Sequence, residues 1–124
     1  MTDQILYIDD DDDLREVAMM ALALDPGMEV TGCASGEEGI RLASGGCKPD
    51  LILLDVMMPT MDGPTTLAGL RELPHLADTP VVFITARAQA SETEWLKGLG
   101  AVGVIAKPFD PMTLAQTVRG FLPA

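Results

Sequence analysis

Four strand-like apolar runs in this sequence each end on a polar residue that could take part in phosphoryl transfer. In a parallel sheet, the carboxyl ends of the strands lie side by side, and ligands bind in the crevice there. The runs would therefore place three carboxylates, one hydroxyl and one ammonium at a single edge. They are Ile5–Ile8 before Asp9 and Asp10, Leu51–Leu54 before Asp55, Val81–Ile84 before Thr85, and Val104–Ala106 before Lys107.

The three carboxylates would repel one another unless a cation lay between them. Like charges at close range raise one another's pKa, and a hard divalent ion such as Mg²⁺, which prefers oxygen ligands, relieves that repulsion. Asp55 could then accept a phosphoryl group as an acyl phosphate. Lys107 would neutralise phosphoryl oxygens, and the Thr85 hydroxyl would donate a hydrogen bond to one of them. These residue types therefore predict Mg²⁺-dependent phosphoryl transfer.

Composition narrows the class of protein. The 124 residues fit one compact domain, and 48% of them are hydrophobic, which argues against disorder. Eight basic residues against 19 acidic ones give a net charge of −11, which disfavours direct binding of nucleic acid. Without an apolar run of membrane-spanning length or a basic signal-peptide start, we expect a cytoplasmic protein with no membrane partner. Cys33 and Cys47 lie outside any metal-ligand spacing and are expected to be free thiols.

Strand and helix patterns alternate along the whole sequence. Five strands alternating with five helices imply an α/β fold with one doubly wound parallel sheet and helices on both faces. We expect a single domain over residues 1–124, with no output domain. The predicted strands are 5–8, 28–33, 50–55, 80–85 and 101–106; the predicted helices are 14–22, 36–43, 64–73, one capped by Ser91 that ends near 98–100, and one that starts at Asp110-Pro111 and continues through Leu122.

Four segments resemble the receiver domain of bacterial two-component response regulators. They occur in the family's order and at its spacing across residues 5–122, and they are similar to a stand-alone receiver of the chemotaxis type. The resemblance implies a flavodoxin-like strand order of 2-1-3-4-5. The segments are Ile5–Asp11 with Leu14-Arg15, Pro49–Pro59 with Met61–Gly63, Val81–Ala86, and Ile105–Phe109.

The resemblance implies a role in phosphorelay signalling. Asp55 would accept a phosphoryl group from a histidine kinase or a histidine phosphotransfer protein and so switch the binding of an unidentified downstream protein. The domain would not be an enzyme beyond its own phosphorylation and dephosphorylation. The implied metal ligands are Asp9 (through water), Asp10, Asp55 and the backbone carbonyl of Met57; the implied phosphate-binding groups are Thr85, the Ala86 amide and Lys107, whose peptide bond to Pro108 is expected to be cis.

Three positions make this sequence distinctive within the resemblance. Many receivers carry an aromatic residue three positions before the lysine, which swings inward after the switch threonine moves, and this sequence has Val104 there. A switch at Thr85 and Val104 would therefore lack the aromatic relay, which leaves a shift of Thr85 and of the fourth helix. Met57 and Arg87 occupy positions that influence hydrolysis of the acyl phosphate, and their size predicts slow autodephosphorylation.

Other functions use similar residues. A receiver could act as a phosphate-shuttling intermediate in a multistep relay, which the sequence leaves open. A haloacid-dehalogenase-type phosphatase also uses an Asp nucleophile with Mg²⁺ and Lys, but it has a second Asp where this sequence has Met57. An EF-hand would need Gly and Glu in place of Leu14 and Met20. A flavodoxin-type electron carrier would need a first loop rich in Ser and Thr, and the loop here is acidic.

Several other residues are predicted to have structural roles only. Asp11–Asp13 and Asp62 are expected to cap helices or form turns, a common use of Asp. His75 is expected to be a surface residue without a partner, and Trp95 is expected to pack on the fourth helix.

Overall fold

The computed structural model describes residues 2–123, and its elements alternate between strand and helix as predicted. A short 3₁₀ helix, Pro74–Leu76, lies in a segment predicted to be a loop. None of the helices formed by residues 2–123 is both long and apolar enough to cross a bilayer. The strands are β1 (Asp3–Ile8), β2 (Met28–Cys33), β3 (Leu51–Asp55), β4 (Val81–Thr85) and β5 (Gly103–Ala106); the helices are α1 (Asp12–Leu22), α2 (Gly36–Ser44), α3 (Gly63–Arg71), α4 (Ala90–Gly98) and α5 (Leu114–Arg119).

The five strands form one parallel sheet in the order β2-β1-β3-β4-β5, which confirms the predicted flavodoxin-like order. Ile8 pairs with Leu54, and Asp55 pairs with Ile84. The residues that follow β1 therefore lie level with the end of β3. The winding changes direction between these two strands, which is where open α/β sheets bind ligands.

Strand residues alternate between two apolar layers, one on each face of the sheet. In β1, Leu6 and Ile8 belong to the layer that includes residues of α2, α3 and α4, whereas Ile5 and Tyr7 belong to the layer that includes residues of α1 and α5. The same alternation holds in β3 and β4. Helices therefore cover both faces, as predicted. We call the two sides the α2–α4 face and the α1/α5 face.

Polar caps fix the starts of three helices. The Asp11 carboxylate accepts a hydrogen bond from the Leu14 amide of α1 at 3.0 Å, and the Asp62 carboxylate accepts one from the Thr65 amide of α3 at 2.9 Å. Ser35 caps α2 in the same way. An Asp or Ser in this position satisfies an amide that the helix itself leaves unpaired. The predicted structural roles of Asp11 and Asp62 are confirmed.

The start of α4 differs from the prediction. The helix begins at Ala90 after Gln89, so Ser91 lies inside the first turn and does not cap it. The Gln89 side chain makes no capping hydrogen bond either. This helix therefore starts without the polar cap that the sequence pattern suggested.

Helix α5 is shorter at both ends than predicted. It begins at Leu114 because Asp110 forms a turn before it: the Asp110 carboxylate accepts from the Met112 amide at 2.9 Å, and its carbonyl accepts from the Thr113 amide at 3.1 Å. Asp commonly stabilises a turn in this way instead of a helix. The helix ends at Arg119, and Phe121 and Leu122, which follow it, still pack on the α1/α5 face.

Two side chains away from the sheet edge have surroundings that the sequence did not indicate. His75 Nε2 lies 3.0 Å from the Ala43 carbonyl oxygen, so this histidine has a partner. Trp95 is 52% exposed and packs less than predicted.

Cys33 is buried, Cys47 is half-buried, and both are free, as expected. Burial raises the pKa of the Cys33 thiol to about 11, which keeps it protonated and unreactive.

Candidate functional site

The ends of β1 and β3 bring three carboxylates together. Asp9 and Asp10 follow β1 directly, and Asp55 is the last residue of β3. One oxygen from each carboxylate lies within 4.8 Å of the other two. Asp9 is fully buried and Asp55 is 4% exposed, whereas Asp10 is exposed. The cluster is therefore closed at Asp9 and Asp55 and open to solvent at Asp10.

Lys107, directly after β5, bridges the two buried carboxylates. Its Nζ lies 2.8 Å from Asp55 Oδ1 and 3.2 Å from Asp9 Oδ2. The Lys107 side chain is only 18% exposed, so water screens these ion pairs weakly. The Lys107 amide also donates to the Thr85 carbonyl at 2.8 Å, which holds the chain after β5 against the end of β4. The peptide bond to Pro108 is cis, as the resemblance implies.

The ionisation of Asp55 reflects its crowded surroundings. Burial is the main reason that the pKa of Asp55 rises to about 6; the hydrogen bond and charge of Lys107 oppose the rise, and the charges of Asp9 and Asp10 add to it. Burial alone would lower the pKa of Lys107, but its contacts with Asp55 and Asp9 outweigh burial and raise that pKa. A bound cation would favour the ionised form of all three carboxylates.

Asp9 is held by three further groups. The Tyr7 hydroxyl donates to Asp9 Oδ2 at 3.1 Å, and the Asp11 amide donates to Oδ1 at 3.0 Å. Arg15 Nη1 donates to the Asp9 carbonyl at 2.8 Å. The sequence patterns predict no role for Tyr7 or Arg15. For Tyr7, a signal is available in its two-residue spacing from Asp9, because alternate strand residues share a face.

The donor set fits a magnesium ion. Mg²⁺ prefers carboxylate oxygens, and one oxygen from each of the three carboxylates lies within 4.8 Å of the other two, near enough for a single ion to be shared among them. Lys107 alone does not offset three negative charges, so a divalent cation would complete the charge balance. Asp9 already accepts hydrogen bonds at both oxygens, which suits a group that reaches a metal through water.

Thr85 ends β4 beside Asp55, and Ala86 is exposed next to it. Thr85 is 2% exposed, and its Oγ1 accepts a hydrogen bond from the Arg87 amide at 3.0 Å. Its hydroxyl proton is therefore available to donate to a ligand. The Thr85 hydroxyl shares the sheet edge with the carboxylates, but no hydrogen bond between residues 2 and 123 joins it to them.

Val104 lies on the opposite face of the sheet from Asp9 and Asp55. It pairs with Phe83 and packs, half-buried, on the α2–α4 face, whereas its neighbour Ile105 belongs to the α1/α5 face. Strand alternation puts Lys107 on the side of Ile105, and it puts Thr85, two residues after Phe83, on the side of Val104. The two predicted switch residues therefore share one face, and Lys107, Asp9 and Asp55 share the other.

Gly63 closes the loop that connects β3 to α3, and Met57 lies in this loop. The Gly63 amide donates to the Val56 carbonyl at 2.8 Å. A Cβ at residue 63 would lie 2.5 Å from the Asp55 carbonyl oxygen and 2.9 Å from Val56 Cα, so only glycine permits this approach. The sequence patterns predict Gly63 merely as a helix start. Met57 is 77% exposed at the solvent side of the loop.

The sequence is similar to a known protein family and to several known proteins. Residues 5–119 match the family model described as the response regulator receiver domain. The chain is 36% identical over 107 residues to protein-glutamate methylesterase/protein-glutamine glutaminase 2 of Cereibacter sphaeroides, covering 85% of this chain and 28% of that protein. It is 34% identical over 124 residues to the transcriptional regulatory protein CseB of Streptomyces coelicolor, covering 98% of this chain and 51% of that one. It therefore spans about half or less of these relatives.

A solved structure gives a similar result for the fold. The chemotaxis protein CheY4 of Vibrio cholerae has a TM-score of 0.89 to this chain at 30% identity. That likeness covers 98% of this chain and 100% of the other. The similarity in fold therefore extends over nearly the whole chain.

Proposed function

The chain belongs to the response regulator receiver domain family, and on this premise we propose that Asp55 accepts a phosphoryl group from a histidine kinase or a histidine phosphotransfer protein. Membership of this family assigns the domain to phosphorelay signalling. It also excludes the flavodoxin and haloacid-dehalogenase alternatives. Beyond family membership, we propose the acceptor residue, the metal and the class of phosphodonor.

The position of Asp55 carries this proposal. Lys107 holds its Oδ1 at 2.8 Å, and no hydrogen bond or ion pair within residues 2–123 engages its Oδ2. Asp9, in contrast, accepts hydrogen bonds at both oxygens. A carboxylate that is held by one oxygen and unengaged at the other is suited to act as a nucleophile.

In the proposed reaction, a carboxylate oxygen of Asp55 attacks the phosphorus of a phosphohistidine. A P–O bond forms, the P–N bond breaks, and its electron pair remains on the imidazole, which then takes up a proton. Lys107 offsets the charge of the phosphoryl oxygens. The Thr85 hydroxyl and the Ala86 amide donate hydrogen bonds to these oxygens, as expected for groups that stabilise a phosphoryl transition state.

The three carboxylates and a backbone oxygen would hold the metal. Asp10 and Asp55 are proposed as direct ligands, together with the Met57 carbonyl, and Asp9 as a ligand through water. When bound, Mg²⁺ supplies positive charge that allows an anionic phosphoryl group to approach this acidic crevice.

We also propose that the domain signals by binding and is not an enzyme beyond its own phosphorylation and dephosphorylation. Its compartment would be the cytoplasm. The net charge of −11 disfavours direct contact with nucleic acid, so the downstream partner is proposed to be a protein.

The proposed switch runs through Thr85 and α4. A shift of Thr85 toward the phosphate would pull on the loop before α4, because the Thr85 Oγ1 accepts from the Arg87 amide at 3.0 Å. Val104 offers no hydroxyl and no long side chain to follow that movement. The proposed signal therefore reaches α4 through the main chain.

Treatment with a low-molecular-weight acyl phosphate tests the proposed function. In the presence of Mg²⁺, we expect intact-mass measurement to show the addition of one phosphoryl group, since the metal offsets the repulsion between the donor and the carboxylates. Chelation of the metal with EDTA should abolish the labelling. Equal labelling with and without Mg²⁺ would contradict the assignment of the metal.

The Arg87→Glu variant is expected to lose its phosphoryl group faster than the parent. Arg87 is exposed beside Thr85, where a long side chain can shield the acyl phosphate and a carboxylate could instead orient water. We expect an acceleration of about 3- to 10-fold, well below the effect of a fully positioned general base. The decay of the phosphorylated protein by intact mass measures this rate.

Arg41→Glu provides the matched control, because Arg41 is an exposed arginine of α2 and the charge change is the same. Its decay rate should equal that of the parent. Equal or slower decay of Arg87→Glu would refute the shielding role.

A further inference from the structure

Tyr7 is a completely buried tyrosine whose hydroxyl reaches the acidic cluster. It is 0% exposed and belongs to the apolar layer of the α1/α5 face. Its hydroxyl donates to Asp9 Oδ2 at 3.1 Å. The proposed reaction makes no use of this residue. It is also the only tyrosine in the sequence.

The hydroxyl requires an explanation, because the packing alone does not need it. A phenylalanine ring would fill the same apolar space, and a buried hydroxyl is costly unless it makes a hydrogen bond. The bond to Asp9 meets that requirement. Burial and the charge of Asp9 both raise the pKa of Tyr7, so the group stays protonated and acts as a donor.

The hydroxyl also affects how Lys107 is shared. Asp9 Oδ2 accepts from Tyr7 at 3.1 Å and lies 3.2 Å from Lys107 Nζ, whereas Asp55 Oδ1 lies only 2.8 Å from the same Nζ. Because the Tyr7 hydroxyl already donates a hydrogen bond to Asp9 Oδ2, this oxygen depends less on the Lys107 ammonium. Lys107 can therefore remain nearer to Asp55. Without the hydroxyl, the orientation of the Asp9 carboxylate would depend only on Lys107 and the Asp11 amide.

We propose that Tyr7 is a positioning residue, whose hydroxyl fixes the Asp9 carboxylate in the orientation that the metal site needs and keeps Lys107 at Asp55. This inference rests on the proposed function, since it concerns the same Mg²⁺ site. Groups that orient the ligands of a metal in this way usually affect its affinity strongly.

The Tyr7→Phe variant tests the inference by removing one oxygen atom. Calorimetric titration should show Mg²⁺ binding about tenfold weaker than in the parent, as is typical for loss of an orienting hydrogen bond. Labelling by an acyl phosphate should recover toward the parental rate at saturating Mg²⁺, because Asp55 itself is intact. Unchanged Mg²⁺ affinity in Tyr7→Phe would overturn the proposal.

Thr66→Val is the matched control. Thr66 is also 0% exposed, and its hydroxyl donates to the Asp62 carbonyl at 2.8 Å, on the α2–α4 side of the protein. This variant loses a buried hydrogen bond as well, but its Mg²⁺ affinity should equal that of the parent. A loss of affinity as large as that of Tyr7→Phe would show a general effect of destabilisation and overturn the proposal.

The parent protein offers a second test, which does not depend on how a variant folds. Because Tyr7 is the only tyrosine, Mg²⁺ that withdraws charge from Asp9 should shift the tyrosine band in an ultraviolet difference spectrum. Calorimetric binding without a tyrosine shift would overturn the role of Tyr7 and leave the proposed function standing. A parent that binds no Mg²⁺ at all would overturn the metal assignment, and this inference with it.

Discussion

The Asp55→Asn variant is expected to lose all phosphorylation by an acyl phosphate in the presence of Mg²⁺. An amide has nearly the same size as the carboxylate, and its oxygen can still accept the hydrogen bond that Lys107 donates to Asp55 Oδ1 at 2.8 Å. The fold should therefore persist. The amide is not a nucleophile and cannot form an acyl phosphate. Intact-mass measurement after exposure to the donor would show only the unmodified chain.

Asp62→Asn is the matched control for that experiment. Asp62 lies in the same β3–α3 connection, but it is exposed and caps α3 through the Thr65 amide. Asn and Asp are comparable caps, so stability and labelling should match those of the parent. Labelling that persists in Asp55→Asn would place the acceptor elsewhere and refute the proposed function.

The Gly63→Ala variant is expected to be the most damaging single-methyl change near the site. The new Cβ would meet main-chain atoms of Asp55 and Val56 at 2.5 and 2.9 Å, and main chain at the end of a central strand cannot easily move. We expect a loss of about 2–3 kcal/mol in the free energy of unfolding, typical of overpacking. That is a large share of the roughly 5–15 kcal/mol that stabilises a domain.

The same change should also disturb the chemistry. The Gly63 amide closes the loop that carries Met57, so a shift of this loop would move the proposed carbonyl ligand. We expect slower labelling by the acyl phosphate and weaker Mg²⁺ binding. Denaturant unfolding and calorimetric titration would measure the two effects separately.

Gly98→Ala tests whether the effect is specific to position 63. Gly98 is the last residue of α4, and a Cβ there would meet no atom within 4 Å. Replacing such a glycine should be neutral or stabilise the protein by about 0.5 kcal/mol. Similar losses in both variants would show that crowding at the Asp55 carbonyl is not the cause.

The strand ends could be predicted because each one combines two local signals. An apolar run and the polar residue that follows it are adjacent in sequence, and the parallel topology then places all the ends at one edge. Asp9, Asp55 and Lys107 follow this rule, and the structure brings them into contact. The alternation of strand and helix predicted a parallel sheet, and the resemblance to the receiver family implied its strand order; the structure confirms both.

The sequence does not predict contacts between residues that only the three-dimensional fold brings together. A tyrosine in an apolar strand is usually a packing residue; its two-residue spacing from Asp9 indicates a shared face of the strand but not that its hydroxyl bonds to the carboxylate. The same is true of the sharing of Lys107 between two carboxylates at 2.8 and 3.2 Å, since residue types do not give distances. The predicted start of the last helix at Asp110 was wrong for another reason. An Asp side chain can cap a helix or close a turn, and only the surrounding chain selects the turn.

Val104 and Tyr7, which holds the Asp9 carboxylate, pack on opposite faces of the sheet, and this has a consequence for how the domain can diverge. Substitutions among the residues around Val104 repack the α2–α4 face, whereas the groups that hold Asp9 and Asp55 belong to the opposite layer. Substitutions on the α2–α4 face can therefore change the surface offered to a partner while the packing around Asp9 and Asp55 stays the same. Residue 104 can therefore vary without disturbing the contacts that join Asp9, Asp55 and Lys107, so related domains can acquire new partners while they keep the same acidic cluster.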